Sequence, residues 1–469
     1  MGHAWGTLPA LAATAVLLPS PPSHAPSASA QTPPPLRVSD DGRRLESGGR
    51  PFFYLADTVG PLDGDTSRQA ISRHVKARAS GGFTVLHAAL AAREGSDDGT
   101  CRWSELAVVE HLVVEAAAHG LYVALHPALD LTPGSPPDAK PCAVRDEAAA
   151  QAAGRALGAR YRPFTHVTWV VGSARPSASR LSIWAAFARG LAEGGRGAPR
   201  KLLAYEAPPG EPLPPYSSDA RWVDVAIARL DPAGERPEAL VAAMTARRPS
   251  KPVIAAGPMP SRGPDSVPSS REGVASIRQS AYAAMFAGAA GYASVAPPIE
   301  ATGLGARRLW PGGASPPRSA DPPHLAGEDD PDLRSQLSHL RRLLARRDRD
   351  RHEPAPDLLI HHPAGPTTTA RALSGPRRDW ALVHVPAGAP APSIDVERIR
   401  GRNLRVFWFD PRSGNDMEPL PVTDRTRPLR AIPPDSEDWV LVLETDGEVP
   451  LPLAREVSST ARRPPDLVA

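Results

Sequence analysis

Short apolar runs alternate with helical stretches along residues 51–298, and this alternation is the main structural signal of the chain. The runs are almost continuously apolar, which is typical of strands buried on both faces of a parallel sheet. Eight such units in about 250 residues predict an α/β fold of the TIM (β/α)8 barrel type, with a doubly wound open sheet as the alternative. The eight runs are 52–57 (FFYLAD), 83–90 (FTVLHAAL), 121–129 (LYVALHPAL), 166–174 (HVTWVVGSA), 201–207 (KLLAYEA), 222–230 (WVDVAIARL), 252–257 (PVIAAG) and 287–295 (AGAAGYASV).

The pattern changes after residue 330. An amphipathic helix with Leu333, Leu337, Leu340 and Leu344 on one face is expected to close the barrel domain. From Pro354 onward the apolar segments are short, strand-like and separated by turn-rich sequence, which predicts a small all-β sandwich. The predicted organisation is a leader over 1–30, the barrel over 31–350, the sandwich over 354–450 and a flexible tail over 451–469.

The first thirty residues resemble a secretory leader. Residues 8–18 (LPALAATAVLL) form an apolar run that is too short for a stable membrane anchor, and Ala28-Ser29-Ala30 has the small-x-small pattern of a cleavage site. A disordered Ala/Pro-rich leader is the alternative. Cleavage near Ala30 would make the protein secreted, periplasmic or attached to the cell surface. Because no later run approaches ~18 apolar residues, we expect no membrane span in the mature chain.

Composition narrows the classes of partner. The chain has 57 Pro and 38 Gly among 469 residues, but 41% of its residues are hydrophobic, so long proline-rich loops are expected and not overall disorder. The net charge is only +3, and groove-reading or base-stacking motifs are missing, so we expect no nucleic-acid partner. The sequence contains no phosphate loop, dinucleotide fingerprint or metal signature, and we expect no cofactor and no metal.

Two cysteines, Cys101 and Cys142, lie in loop-like sequence. Export would permit a disulfide between them, and two free thiols are the alternative.

Several segments resemble the apiosidase-like family of glycoside hydrolases. The resemblance is carried by residues 36–58 (LRVSDDGRRLESGGRPFFYLADT), 120–127 (GLYVALHP), 157–175 (LGARYRPFTHVTWVVGSAR), 280–292 (SAYAAMFAGAAGY) and 337–344. Residues 406–414 (VFWFDPRSG) resemble the β-sandwich that follows these barrels and carries a collagen-binding label. The resemblance covers most of the mature chain and implies a carbohydrate as partner.

The resemblance implies a retaining pair of carboxylates at barrel strand ends, about 5–5.5 Å apart. The family's acid/base is the Asp of a Gly-Gly-Asp-Arg motif after the fourth strand, where this chain has Ala174 between Ser173 and Arg175. The family's nucleophile is the Glu of a Gly-Glu-Pro motif after the seventh strand, where this chain has Gly257 before Pro258. Because neither side chain can donate a proton or attack an anomeric carbon, the sequence indicates a catalytically degenerate, carbohydrate-binding barrel.

Two other functions stay open on the sequence alone. Relocated carboxylates, Glu206 with Asp130, could support hydrolysis; an inverting pair would need ~6.5–9.5 Å between them. Glu206 could equally be a salt-bridged residue of the rim. The third possibility is a non-enzymatic surface or matrix-interaction protein.

We also expect substrate contacts from four residues of the strand ends, with a local backbone cap as the alternative for the first. These residues are Asp57, His126, Arg175 and Tyr205.

Overall fold

The computed structural model of the chain describes residues 32–59, 62, 66–94, 101–103, 106–128, 146–172, 178–213, 220–230, 237–258, 271–295, 331–347, 352–360, 370–422 and 424–446. The predicted leader, the predicted tail and Cys142 lie outside these residues, as does the side chain of Cys101. The disulfide and the export signal therefore stay predictions. No helix in the described part of the chain is long and apolar enough to cross a membrane.

The first domain contains twelve strands and seven helices among its described residues. The strands are β1 (Leu36–Val38), β2 (Leu45–Ser47), β3 (Arg50–Phe52), β4 (Tyr54–Val59), β5 (Val85–Glu94), β6 (Cys101–Trp103), β7 (Tyr122–Ala128), β8 (Val167–Gly172), β9 (Leu203–Glu206), β10 (Val225–Arg229), β11 (Val253–Pro258) and β12 (Gly291–Val295). The helices are α1 (Arg68–Ser80), α2 (Leu106–Ala118), α3 (Glu147–Arg160), α4 (Ala178–Gly194), α5 (Pro237–Thr245), α6 (Arg271–Phe286) and α7 (Pro331–Ala345).

Eight parallel strands close into a barrel. Their order is β4-β12-β11-β10-β9-β8-β7-β5, and β4 pairs with β5 to complete the ring, with Ala56 opposite Val85. Each of the eight apolar runs of the sequence contributes one of these strands, so the predicted TIM barrel is confirmed. The additional strand β6 pairs antiparallel with the far end of β5.

The barrel interior and the layer between strands and helices form two separate apolar clusters. Inside lie alternate strand residues such as Val85, Val225 and Ile254, whereas their neighbours Leu86, Ala226 and Ala255 pack toward the helices. This alternation is the period of two that a strand imposes on its side chains. Neither cluster contains the polar side chains that occupy the interior near the strand ends.

A small antiparallel sheet, β1-β2-β3, covers the barrel at the strand N-termini. Leu36 and Leu45 of this sheet join the interior cluster. The Tyr122 hydroxyl donates to the Pro34 carbonyl at 2.6 Å and lies 2.6 Å from the Ser47 hydroxyl. The interior is therefore closed at this end, and a ligand would enter from the C-terminal ends of the strands.

Helices α3 and α4 pack with their backbones in contact. A Cβ atom added at Gly154 would lie 2.2 Å from the Phe187 carbonyl oxygen, and one added at Gly190 would lie 2.1 Å from that of Gln151. Gly158 and Gly194 are equally constrained, so glycine at these four positions is what allows the close crossing. Arg155 pairs with Glu193 across the same contact at 2.7 Å.

The second domain consists of two antiparallel sheets around their own core. The larger sheet has the order β13-β15-β16-β20-β18 and the smaller has β14-β17-β19. An apolar cluster that includes Ile394, Trp408 and Leu441 lies between them, as expected for the predicted sandwich. The strands are β13 (Glu353–Pro354), β14 (Leu359–Ile360), β15 (Arg371–Ser374), β16 (Trp380–Val385), β17 (Ser393–Ile394), β18 (Arg405–Phe409), β19 (Leu429–Arg430) and β20 (Trp439–Glu444).

The other face of the larger sheet packs on the barrel. Leu382, Phe407 and Val442 belong to the same apolar cluster as helices α6 and α7. A buried ion pair crosses this interface, with Arg278 Nε 3.0 Å from Asp438 Oδ2.

Three arginines in the last turn of α7 and directly after it bind residues in other parts of the chain. Arg341 donates to the Gly82 carbonyl at 2.7 Å, Arg346 lies 3.1 Å from Asp416, and Arg347 lies 2.9 Å from Glu444. The arginine-rich end of this helix therefore connects α1 and the second domain.

Candidate functional site

Four polar side chains occupy the barrel interior near the strand C-termini, and we call this group the mouth cluster. Its members are His87 of β5, His126 of β7, Glu206 of β9 and Arg229 of β10. Each lies two or four residues after an inward-facing residue of its own strand, namely Val85, Ala124, Ala204 and Val225. The four side chains therefore point into the barrel interior.

Tyr54, His87 and His126 form a hydrogen-bonded row. The Tyr54 hydroxyl lies 2.6 Å from His87 Nε2, and His87 Nδ1 lies 2.9 Å from His126 Nε2. Two arrangements of protons satisfy both contacts. In one, the phenol donates to His87 Nε2 and His87 Nδ1–H donates to His126 Nε2; in the other, His126 Nε2–H donates to His87 Nδ1 and His87 Nε2–H donates to the phenol oxygen. In both arrangements His126 Nδ1 is not used by the row, as a donor in the first and as an acceptor in the second.

Both imidazoles in this row are neutral near pH 7. Burial lowers the pKa of His87 to about 3. Burial, followed by the influence of His87 and Arg229, holds the pKa of His126 well below its ordinary value. Burial raises the pKa of the Tyr54 phenol, and the Glu206 carboxylate raises it further. The row therefore offers hydrogen bonds and no formal charge.

Glu206 and Arg229 form a buried ion pair. Arg229 Nη1 donates to Glu206 Oε1 at 2.9 Å, and the two residues are 5% and 8% exposed. The guanidinium favours the ionised carboxylate, which accepts hydrogen bonds but has no proton to donate. The salt-bridged alternative for Glu206 is thus the observed arrangement, on an inward-facing position.

The structure places two other predicted contact residues on the helix side of the barrel wall. The Asp57 carboxylate is buried and pairs with Arg78 of α1, while its Oδ1 accepts from the Thr58 backbone N–H at 3.0 Å. Tyr205 is 1% exposed and packs edge-on against Trp222. The structure places two of the predicted site residues at inward-facing positions: His126, a predicted contact, and Glu206, a candidate catalytic residue. Asp130, Ala174 and Arg175 lie outside the described residues.

Sequence reasoning missed His87, Arg229 and Tyr54. Each stands inside an apolar strand, where an unpaired polar group would be costly, and this is the signal that could have identified them. A histidine within FTVLHAAL and an arginine within WVDVAIARL both require partners inside the barrel.

The mouth cluster can bind hydroxyl groups but lacks a free acid–base pair in its described part. The carboxylates that the structure describes on barrel strands are Glu206, which is ion-paired, and Asp57, which faces α1. No three His, Cys, Asp or Glu side chains among the described residues come together as a metal site.

Comparison with family models identifies the chain. The model described as "Apiosidase-like, catalytic domain" matches residues 39–294, which is more than half of the sequence. The chain belongs to this family. A second model, "Putative collagen-binding domain of a collagenase", matches residues 354–444. A search of curated proteins gave no significant match.

Solved structures share the fold of this apiosidase-like protein. A glycoside hydrolase is 18% identical with a TM-score of 0.67, and the match covers 88% of this chain and 97% of the other. A family 5 glycoside hydrolase from Bacteroides vulgatus ATCC 8482 is 19% identical with a TM-score of 0.66, covering 88% and 93%. A further Bacteroides vulgatus glycoside hydrolase is 13% identical with a TM-score of 0.57, covering 90% and 84%. At these identities the similarity concerns the fold.

Gly257, which we align with the family nucleophile, has no room for a side chain on the side of Tyr292. A Cβ atom added at Gly257 would lie 1.8 Å from the Tyr292 hydroxyl oxygen and 2.6 Å from the ring carbon that bears it. Tyr292 is fully buried. A glutamate at 257 therefore requires a different conformation of Tyr292, so the two side chains would have to change together.

Proposed function

We propose that this apiosidase-like protein is exported and binds a carbohydrate at the barrel mouth without hydrolysing it. The observation that carries the proposal is an ion pair in the mouth cluster. The Glu206 carboxylate faces inward and lies 2.9 Å from Arg229 Nη1. A further support is the close contact between Gly257, which we align with the family nucleophile, and the Tyr292 hydroxyl. A retaining mechanism needs one carboxylate that is protonated and one that attacks.

The interior offers the groups that sugar hydroxyls use. The Glu206 carboxylate accepts, the Arg229 guanidinium donates, and the neutral His126 offers its Nδ1, because its Nε2 is bonded to His87. All three belong to strand ends and not to loops, so they are held by the barrel wall. On this account a ring with several hydroxyls binds above His126 and Arg229.

The decisive experiment incubates the purified full chain with apiose- and rhamnogalacturonan-type oligosaccharides. We expect calorimetric binding with no product released on prolonged incubation. Glu206→Gln keeps the shape of the side chain but removes its charge, and we expect it to weaken binding about tenfold. Glu193→Gln is the matched control, because Glu193 is also paired with an arginine, at 2.7 Å, but on the outer surface of α3 and α4.

An active hydrolase that uses Glu206 with Asp130 is the competing function, favoured by the inward position of Glu206. In that case the wild-type protein would release product, and Glu206→Gln would abolish turnover while Glu193→Gln would not. Such a result would replace our proposal. Binding that is equal in all three proteins would place the carbohydrate away from the mouth.

Export is tested separately. We expect the mature protein outside the cytoplasm to begin at Gln31, after Ala28-Ser29-Ala30. N-terminal sequencing of protein from the periplasm or medium measures this, and an intact Met1 on all of the protein would contradict it.

A further inference from the structure

A cleft of about 270 Å³ lies at the end of the barrel opposite the mouth. Five segments line it, and they belong to the N-terminal sheet, the barrel and the start of the second domain: residues 41–45, 51–53, 245–251, 285–290 and 352–354. The turn before β2 packs closely on its neighbour, since a Cβ atom added at Gly42 would lie 2.5 Å from the Ser250 carbonyl oxygen. The cleft is therefore fixed by the junction of the N-terminal sheet, the barrel and the second domain.

Cations dominate the polar lining of the cleft. Arg43 and Arg248 are exposed, while Arg44 and Lys251 are half-buried. Two carboxylates, Asp41 and Glu353, and the half-buried His352 also contribute. The Asp41 carboxylate is already hydrogen-bonded within its own turn, because its Oδ1 accepts from the Ser39 hydroxyl and from the Arg43 backbone N–H. The balance of charge favours an anion.

Arg43 and Arg248 keep donors available for a ligand. The Arg43 guanidinium makes no hydrogen bond or ion pair with the described residues. Arg248 uses its Nη1 for the carbonyls of Ala246 and Arg247. The other two cations are engaged within the protein: Arg44 Nη2 lies 3.8 Å from Asp41 Oδ2, and Lys251 Nζ donates two bonds of 2.7 Å, to Ala220 O and Val223 O.

The opposite part of the lining is apolar. Phe52, Phe53 and Met285 line the cleft together with Leu45. An aromatic and aliphatic wall beside guanidinium groups suits a ring that carries an anionic substituent. The volume of about 270 Å³ falls just below the ~300–1,000 Å³ range of small-molecule sites, which suits a small ligand of one ring.

We propose that this cleft binds single-ring organic anions, with the carboxylate or phosphate held by Arg43 and Arg248 and the ring packed on Phe52 and Phe53. The site is separate from the mouth and uses none of its residues. Because it joins three parts of the chain, a ligand bound there stabilises the folded protein against unfolding.

The test uses the full chain with four probes: glucuronate, glucose 6-phosphate, inorganic phosphate and glucose. We expect one or both ring anions to raise the melting temperature and to bind measurably by calorimetry. Inorganic phosphate and glucose should bind at least tenfold more weakly than the better ring anion. The two ring probes distinguish a carboxylate ligand from a phosphate ligand.

The double variant Arg43→Ala/Arg248→Ala should weaken ring-anion binding at least tenfold. Arg37→Ala/Arg50→Ala is the matched control, since both arginines are exposed on the same N-terminal sheet but lie outside the cleft. Oligosaccharide binding at the mouth should be equal in both variants, which keeps this test independent of the proposed function.

Three results would overturn the proposal. One is the absence of binding by either ring anion. Another is equal binding of inorganic phosphate and the ring anions, which indicates an adventitious ion only. The third is equal affinity in the two double variants, because the cleft arginines would then play no part.

Discussion

The lower and upper parts of the barrel interior are built on the same strands but have opposite chemistry. Near the strand N-termini, Val85, Val225 and Ile254 pack with the N-terminal sheet in a closed apolar cluster. Two residues further along β5 the inward side chain is His87, and four residues further along β10 it is Arg229. One part stabilises the barrel, and the other offers hydrogen bonds and an ion pair.

This difference shows how one strand serves two purposes. Tyr54 connects the parts, because its ring belongs to the apolar cluster while its hydroxyl lies 2.6 Å from His87. Polar groups are tolerated in the upper part because each has a partner inside the barrel. Removing one member of a polar pair in the upper part should therefore lower the free energy of unfolding about as much as creating a cavity in the lower, apolar part.

The largest effect is expected for Arg229→Ala. It leaves the buried Glu206 carboxylate without its cation, which costs about 4 kcal/mol of unfolding free energy at pH 7. Urea unfolding measures this. The loss of unfolding free energy should be smaller at lower pH, because protonation of Glu206 removes the uncompensated charge. The double variant Arg229→Met/Glu206→Gln should recover most of the stability.

A loss below 1 kcal/mol in Arg229→Ala would contradict a pair shielded from solvent, because it would mean that water reaches Glu206.

Ile254→Ala tests the lower part. Ile254 is fully buried, and its truncation should cost about 3 kcal/mol through lost burial and the remaining cavity. Carbohydrate binding measured on the folded variant should stay within twofold of wild type, since no mouth residue changes. A large loss of binding at unchanged fold would show that the two parts are coupled.

The sequence predicts the number and order of the barrel strands better than it predicts which side chains face the interior. Eight strands were predictable because apolar runs separated by helical stretches indicate a parallel sheet, and their number favoured a closed barrel over an open sheet. The side of the barrel wall on which each residue lies was not predictable, because a strand that is apolar on both faces shows no alternation of polar and apolar residues. Asp57 and Tyr205 were therefore expected in the mouth, although the structure places both against the helices.

The site was predictable only where a polar residue stood at a strand end. His126 and Glu206 were identified on this basis, while His87 and Arg229 were missed because their partners come from β4, β7 and β9, far away in sequence. The arginines at the end of α7 likewise bind partners far away in sequence: Gly82, Asp416 and Glu444.

A smaller effect concerns pH. Folding lowers the pKa of His87 from 6.5 to about 3. Between these two pH values the unfolded chain therefore binds a proton at His87 and the folded chain does not. Stability should therefore fall as the pH drops from 6.5 toward 3, and His87 contributes about 1.4 kcal/mol per pH unit. His87→Phe should reduce the slope of unfolding free energy against pH by this amount.

The control for the pH experiment is His119→Gln. The His119 side chain follows α2, is 32% exposed and lies 3.6 Å from Glu115. The change in slope should be larger in His87→Phe than in this variant. Equal slopes in wild type and His87→Phe would contradict a buried neutral imidazole at position 87.

Tyr54→Phe is expected to have the smallest effect. It removes the hydroxyl that bonds to His87 and should cost about 1 kcal/mol. Tyr161→Phe is the matched control, because the buried Tyr161 hydroxyl has no hydrogen-bond partner among the described residues. Urea unfolding of both variants measures the difference, and equal costs would mean that the Tyr54 bond contributes nothing net.

The packing of the second domain on α6 and α7 has a consequence for cooperativity. Its larger sheet shares one apolar cluster with the barrel, and Arg278 and Asp438 are buried between them. Neither domain can unfold without exposing that surface and separating those charges. Calorimetry should therefore record one heat-absorption peak for the whole chain, and a protease should find no early cleavage point that releases either domain intact.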